Sequence, residues 1–598
     1  MANTQLAKLH WKSLLPHILV LLWLVFLAST IWRHATESVQ PPHFDPLSYM
    51  QKAMNFWDAV EQGEWFNPLN IEPIVRPPGT ILMSYPFGFS PDYRGFYFRS
   101  AFLPILFVVL AVYWVLGFST SASSEWYVVM MALFLSTIPI FYNFDVSEVN
   151  PGPVHWGLVD NFQAGVATLA AAGYIKSLQS KSLLPLALGS MFGSLTLMIK
   201  PSGLMVMALL TLTWVTVLTF EWISARNSKV IPSCTKRYVI LGVLLIMGID
   251  ALAITTSLFS KYFSLENFEY AQKTLATMKS VLNTPLSILL LLVISSIGFP
   301  FVLWFLWKGV LLSIDWSRKN KRIFPLSVIT LGFVTSAGII WILGLWYWLV
   351  VQAGDNQVRY FYPFFLMGVM CLLPVSSLMF RKSGRSIRLT EWLLCGLAVF
   401  NIAALLVQDN PSLSWQRLAG VNVTVGQDRE IVEQAHAFLE DIRRRNQPAT
   451  VYTFYSGLQY IFATAGCYEG LVRPTLPAFQ PIFMADWLRG FVVRTEELSG
   501  VDFIIVRKDL GSLSKKFRNQ KIESDWDEAI VFQAWLCTLS ESAGVRIASD
   551  GTVLRLLQIV DRKAFREAIV SFVEQHDWRP EFVRANPNLK WVDPAVSG

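Results

Sequence analysis

Asp45 stands directly before Pro46 and a run in which Leu47, Met50, Met54, Trp57 and Val60 recur at helical spacing, with Ser48, Lys52, Asn55 and Glu61 between them. Pro46 has no amide hydrogen to offer and suits the first helical position, so Asp45 reads as the N-cap of an amphipathic helix lying flat in the headgroup zone of a bilayer. A cap accepts amide hydrogen bonds that keep its carboxylate ionised, and an ionised acid is also what a general base requires. Capping alone is the plainer role, and the two are compatible. Further along the same loop Arg76 precedes Pro77-Pro78-Gly79, a rigid turn, and much later Arg359 precedes Tyr360-Phe361-Tyr362-Pro363. Arginines held in this way can grip a lipid-linked phosphate with two parallel hydrogen bonds.

Other polar residues stand where they are costly. Arg94, Arg99, Lys200 and Asp250 fall within or at the ends of apolar runs, where an ionisable group needs a partner, water or a charged ligand. Snorkelling accounts for Arg94 and Arg99, and Lys200 with Asp250 could form a salt bridge between helices. The stretch FYNFDVSEVNPGPVHWGLVDN adds Asp145, Glu148, His155 and Asp160. Asp145, Glu148 and Asp160 make a candidate acceptor-side or second acidic site, and Glu148 with His155 are the candidate ligands of a divalent metal. Their spacing matches no strong metal motif, and Asp160 also suits a helix cap.

These residues must be positioned by membrane spans. Of 598 residues, 53% are hydrophobic and only 15% charged, with 23 Trp and 42 Phe. That composition belongs to a polytopic α-helical membrane protein. Spans of about 20 residues, enough to cross a hydrocarbon core as helix, are expected near Leu14 to Trp32, Ala101 to Phe118, Trp126 to Tyr142, Phe162 to Tyr174, Leu183 to Met198 and Gly203 to Thr219. More are expected near Val239 to Phe259, Pro285 to Leu312, Phe324 to Val351, Phe361 to Phe380 and Glu391 to Val407, making about eleven. Basic clusters at Lys8 and Lys12, Lys176 and Lys181, Arg226 to Arg237, Arg318 to Arg322 and Arg381 to Arg388 all alternate to one side. The preference of such loops for the cytoplasm puts the N-terminus inside and the Asp45 loop outside. The first span reads as an anchor rather than a cleaved leader.

The chain divides on composition into a membrane part, 1–408, with an external loop 33–99, and a soluble α/β part, 409–598. In the latter, Glu430 to Arg445 reads as a helix, Thr450 to Phe454 and Phe503 to Arg507 as strands, Val545 to Val560 as a hairpin turning at Asp550-Gly551, and Lys563 to His576 as an amphipathic helix. No Gly-rich phosphate loop or internal repeat is present, which disfavours an ATP-driven machine. The formal charge of +7 follows from the cytoplasmic loops rather than from a nucleic-acid footprint. Of five cysteines, Cys467 and Cys537 could bridge in an oxidising compartment or remain buried thiols.

In order and sidedness these motifs resemble the GT-C class of membrane glycosyltransferases, of the protein O-mannosyltransferase and lipid A aminoarabinose transferase type. The motifs are the Asp after helix one, the flat amphipathic helix, the basic-Pro-Pro turn, the acidic second loop, Lys200-Pro201-Ser202-Gly203 and the Arg-Tyr before a re-entering helix. The likeness covers the membrane half, to about Val407. It implies that a sugar moves with inversion from a polyprenyl-phosphate donor to a lipid, glycan or protein acceptor hydroxyl at the external face of a bacterial inner (plasma) membrane. On that likeness Asp45 acts as base, and Arg76, Arg359, Lys200 and Arg99 bind the donor phosphate; no cofactor is required for certain. The chain departs from the pattern at Pro46, where the class usually carries a second acid, and it lacks the Trp-Trp-Asp-Tyr-Gly signature of oligosaccharyltransferases. The alternative is a transporter or flippase of polyprenyl-linked sugars or other lipids, which would hold its charges near the midplane on repeated, broken helices.

Overall fold

The computed structural model describes residues 16–32, 93–117, 122–138, 159–227, 233–258, 325–348, 358–381, 449–453, 472–474, 499–508 and 534–576. Shorter pieces between these are also described, among them Tyr49, Ala53, Gly79, Ile81, 394–399 and parts of 430–444. The chain falls into two compact units, Met1–Ser38 with Ser48–Val423 and Val39–Leu47 with Thr424–Gly598.

The first unit is helical. Its elements are α1 (Pro16–Trp32), α2 (Tyr93–Leu116), α3 (Ala122–Thr137), α4 (Val159–Ser180), α5 (Leu183–Ile199), α6 (Gly203–Asn227), α7 (Ser233–Leu258), α8 (Pro325–Trp346) and α9 (Tyr362–Arg381). Among the described residues, the segments Phe98–Leu116, Gly203–Ile223 and Lys236–Thr255 are long and apolar enough to cross a membrane. Each of the first seven expected spans, and those beginning near Phe324 and Phe361, overlaps one of these helices. Pro285 to Leu312 and part of Glu391 to Val407 lie outside the described residues.

The most enclosed helix is not the most apolar one. α4 is buried from Val159 through Ile175 and carries the run Ala164-Gly165-Val166-Ala167 and three consecutive alanines, Ala170 to Ala172. Between lipid-bathed helices the hydrophobic effect supplies no driving force, so association rests on close van der Waals approach, which small residues permit. At Gly165 an added side chain would stand 2.8 Å from the backbone of Pro104, and at Gly173 it would stand 2.6 Å from Gly189. Those contacts seat α2 and α5 directly on α4. α7 shows the opposite pattern: Ile240, Leu241, Leu244, Met247 and Leu252 are exposed, while Gly242, Ile246 and Ala253 make a buried stripe. Such an apolar exterior suits hydrocarbon rather than water.

Several buried polar groups are paired across helices. Trp23 Nε1 donates to Ser136 Oγ (2.9 Å), and Trp214 Nε1 donates to Tyr238 OH (2.9 Å). The Tyr238 hydroxyl also meets Ser177 Oγ at 2.6 Å. Lys181, at positive φ in the tight link from α4 to α5, ion-pairs with Glu221.

The second unit contains a five-stranded sheet built from β1 (Ala449–Thr453), β2 (Val472–Pro474), β3 (Phe503–Arg507), β4 (Val545–Asp550) and β5 (Leu554–Ile559), in the order β2-β1-β3-β5-β4. β1 runs parallel to β2 and β3, whereas β5 runs antiparallel to β3 and β4. Alternation along β3 sends Phe503 and Ile505 to a cluster with Ala435, Phe438 and Ile442, and Ile504 and Val506 to a cluster with Phe565, Ile569 and Phe572. The last three belong to α10 (Arg562–Gln575), whose N-cap Asp561 accepts from the amides of Lys563 and Ala564. Among the described residues Cys537 is a free thiol; Cys467 lies outside them.

At the β4–β5 hairpin Asp550 accepts from Arg555 and Lys508, and these bonds hold its carboxyl at about 2. That lies below the ordinary aspartate value of about 3.9. The bonds therefore stabilise the folded unit fully above that ordinary value and cease to do so as pH falls through about 2. Exposure of Asp550 keeps the contribution small. The stability gap between the wild type and Asp550→Asn, read from denaturant melts, should be present at pH 7 and close as pH approaches 2; a gap that persists there would contradict the assignment. In the helical unit, Gly173→Leu should lower the melting temperature by the several degrees expected of overpacking, roughly 1–3 kcal/mol or more. Gly248→Ala, with open space around it, should leave the same fluorescence melt unchanged or slightly raised.

Candidate functional site

α5 ends at Ile199 because Pro201 cannot continue the helical ladder. Lys200 takes extended backbone, and a turn closes when Gly203 N donates to Lys200 O (2.9 Å) and Leu204 N to Pro201 O (3.0 Å). Gly203 lies so tightly on the backbone of Thr196 and Leu197 that no side chain fits there. Gln163 of α4 staples this corner. Its Nε2 donates to the carbonyls of Thr196 (3.2 Å) and Lys200 (3.4 Å), while its Oε1 accepts from Ser202 Oγ (3.0 Å). These bonds give a second donor to carbonyls at the helix end that already accept from Lys200 N and Gly203 N.

The corner places the Lys200 ammonium against the Asp160 carboxylate in the first turn of α4, with the side chains only 18% and 6% exposed. The Tyr360 ring closes a further side, its centroid 3.9 Å from Nζ. Tyr360 belongs to the 3-10 turn Val358–Phe361 that leads into α9. The cation thus sits between a carboxylate and an aromatic face.

Two further features converge here. Pro104 touches Gly165 and Gly117 lies beside Lys176, so α2 and α4 run parallel and Arg99 stands level with Asp160. The Arg99 guanidinium folds back over Gly95, and its Nε is buried with no hydrogen-bond partner among the described residues. Asn161, next to Asp160 and 6% exposed, likewise has an unpaired Oδ1. In addition Gly79, the last residue of the Pro-Pro-Gly turn, approaches α5 so closely that an added carbon would stand 2.5 Å from the Met198 carbonyl oxygen.

Of the residues singled out by sequence, Lys200, Asp160 and Arg99 are therefore gathered at one end of the helical unit. The bridge weighed between Lys200 and Asp250 is replaced by one between Lys200 and Asp160. Asp45, Arg76, Asp145, Glu148 and His155 lie outside the described residues, as does the side chain of Arg359. Among the described residues no group of three or more His, Cys, Asp or Glu could hold a metal ion. Sequence reasoning missed Gln163, Ser202 and Asn161 as site residues, and nothing in their spacing marks them. Tyr360 was next to a named residue, but its role depends on an ammonium brought to it by the fold.

No protein-family model and no curated protein matches the chain. Among solved structures, ArnT from Cupriavidus metallidurans bound to undecaprenyl phosphate is similar at a TM-score of 0.45 and 13% identity, covering 90% of this chain and 98% of that one. The archaeal oligosaccharyltransferase AglB from Archaeoglobus fulgidus, in complex with an inhibitory peptide and a dolichol-phosphate, is similar at a TM-score of 0.37 and 11% identity, covering 83% of this chain and 70% of that one.

Removing one partner of a largely buried pair strands the other charge. Asp160→Ala should destabilise the protein by about 3 kcal/mol, and Asp160→Leu with Lys200→Met should recover much of that loss. Thermal melts of Asp160→Ala, Lys200→Met and the double variant in one detergent decide the matter, and a double variant as unstable as the two single losses added together would refute the coupling.

Proposed function

We propose that this protein is a membrane glycosyltransferase that moves a sugar from a polyprenyl-phosphate donor to an acceptor hydroxyl, with inversion, at the external membrane face. On this reading about eleven spans carry the reaction and the unit beyond 409 is an external α/β domain. The observation that supports it best is the gathering of the Lys200–Asp160–Tyr360 cluster, Arg99 and Gly79 at one end of the helical unit. Lipid-linked donors present phosphate and sugar at such a boundary, and the reaction needs fixed positive charge where phosphate charge develops.

The ion pair divides the labour among the cations. Lys200 is paired with Asp160, and that pair keeps the corner rigid. Net positive charge for the departing phosphate comes instead from Arg99, Arg76 and Arg359. Arg76, three residues before Gly79, is tethered by the chain to within about 11 Å of the Met198 contact. Arg359 adjoins Tyr360, whose ring covers Lys200. Asp45 takes the proton of the attacking hydroxyl as that oxygen bonds to the anomeric carbon and the bond to the phosphate oxygen breaks. Asp145 and Glu148 belong to the acceptor side, and Glu148 with His155 would be the ligands if a divalent metal takes part.

Asp45→Asn should retain the wild-type melting temperature, because asparagine also caps helices, and should abolish transfer of label from a panel of radiolabelled polyprenyl-phosphate sugars to acceptor. Transfer at the wild-type rate by that variant would remove the proposed base. Release of no label from any donor by the wild type would remove the reading itself.

A further inference from the structure

Hydroxyls inside apolar helices ordinarily bond back to the carbonyl one turn earlier. Thr168, Thr213 and Ser336 do so, donating to Ala164, Leu209 and Gly332 at 2.6 to 2.8 Å. Ser194 on α5 breaks the habit: among the described residues its oxygen is buried and makes no hydrogen bond, and Thr211 on α6 turns to Tyr174 rather than to its own helix. The packing registers bring both to one height. Gly242 of α7 lies on Leu186 of α5 and on Trp214 of α6, and Ala253 shares a buried cluster with Leu197 of α5 and Met207 of α6. α5 and α7 therefore run parallel, with Ser194 level with Asp250, and the antiparallel α6 brings Thr211 close to the same level.

Asp250 continues the inward stripe of Gly242, Ile246 and Ala253. Among the described residues its carboxylate makes no hydrogen bond and no ion pair. The neighbouring wall is hydroxylic: Tyr174 OH meets Ser190 Oγ at 3.0 Å, and Tyr174 faces both Thr211 and the Asp250 charge. One carboxylate thus stands level with an unsatisfied hydroxyl oxygen and with a second hydroxyl shared with Tyr174.

We propose that Asp250, Ser194 and Thr211, with Tyr174 and Ser190 behind them, form a binding site for one monovalent alkali cation. The chemistry selects this ligand. A single formal negative charge balances a single positive one, hydroxyl and carboxylate oxygens are hard donors, and the group contains no imidazole or thiolate for a transition metal. A second carboxylate, which calcium sites ordinarily recruit, is absent from the group. A cation also removes the penalty of a bare carboxylate at an apolar depth. The site lies on α5 about 9 Å below Lys200, at 1.5 Å per residue, and does not depend on the sugar-transfer reading.

The test uses the full chain in detergent at pH 8 and constant ionic strength, comparing sodium chloride and potassium chloride with choline chloride. One of the alkali salts should raise the melting temperature of the wild type by several degrees, saturably, and about one labelled sodium or rubidium ion should bind per chain. Asp250→Asn should lose that salt-specific rise, and Ser194→Ala with Thr211→Val should reduce it at least threefold. Equal melting in all three salts would overturn the proposal, as would a rise that survives undiminished in both variants. The wild-type comparison stands even if a variant fails to fold.

Discussion

The backbone of Val159–Ser180 meets its neighbours without intervening side chains at Gly165 and Gly173, and the heights of the surrounding helices follow from those contacts. With Pro104 against Gly165, Arg99 is level with Asp160. With Gly189 against Gly173, the end of α5 arrives where Lys200 can reach the same carboxylate. In lipid, where burial of apolar surface does not distinguish one helix pairing from another, such close approach is what selects a register. A bulky residue at either glycine would alter the geometry of the site without touching any of its charged groups.

That register turns isolated costs into pairings. A lysine and an aspartate in apolar surroundings are each expensive, yet together with an aromatic face they form a neutral corner that Gln163 and Ser202 lock from behind. A cation count from sequence would have credited Lys200 with a full charge that the fold spends on Asp160.

The same reasoning, applied to hydroxyls, separates two kinds of polar residue in the bundle. Thr168, Thr213 and Ser336 are satisfied by their own helices and need nothing from the tertiary structure. Ser194 and Thr211 are not, and both lie at the level of the one acid on α7. In the second unit the strands alternate more simply, with β3 dividing its side chains between two apolar clusters and Asp550 pinned at the hairpin by two cations.

Composition and apolar run length by themselves determined that this is a chain of membrane-type helices, and the run boundaries at Pro201 and Gly203 were readable because proline and glycine act locally. The short, β-branched apolar run Phe503 to Val506 and the turn residues Asp550-Gly551 likewise announced a strand and a hairpin. Partnership was not readable. That Lys200 pairs with Asp160 rather than Asp250, that Tyr360 covers it, and that Gln163 braces the corner all depend on which helix faces lie together. No local propensity encodes those faces, because each contact joins residues dozens of positions apart through glycine-mediated packing whose energy exists only once both helices are in place.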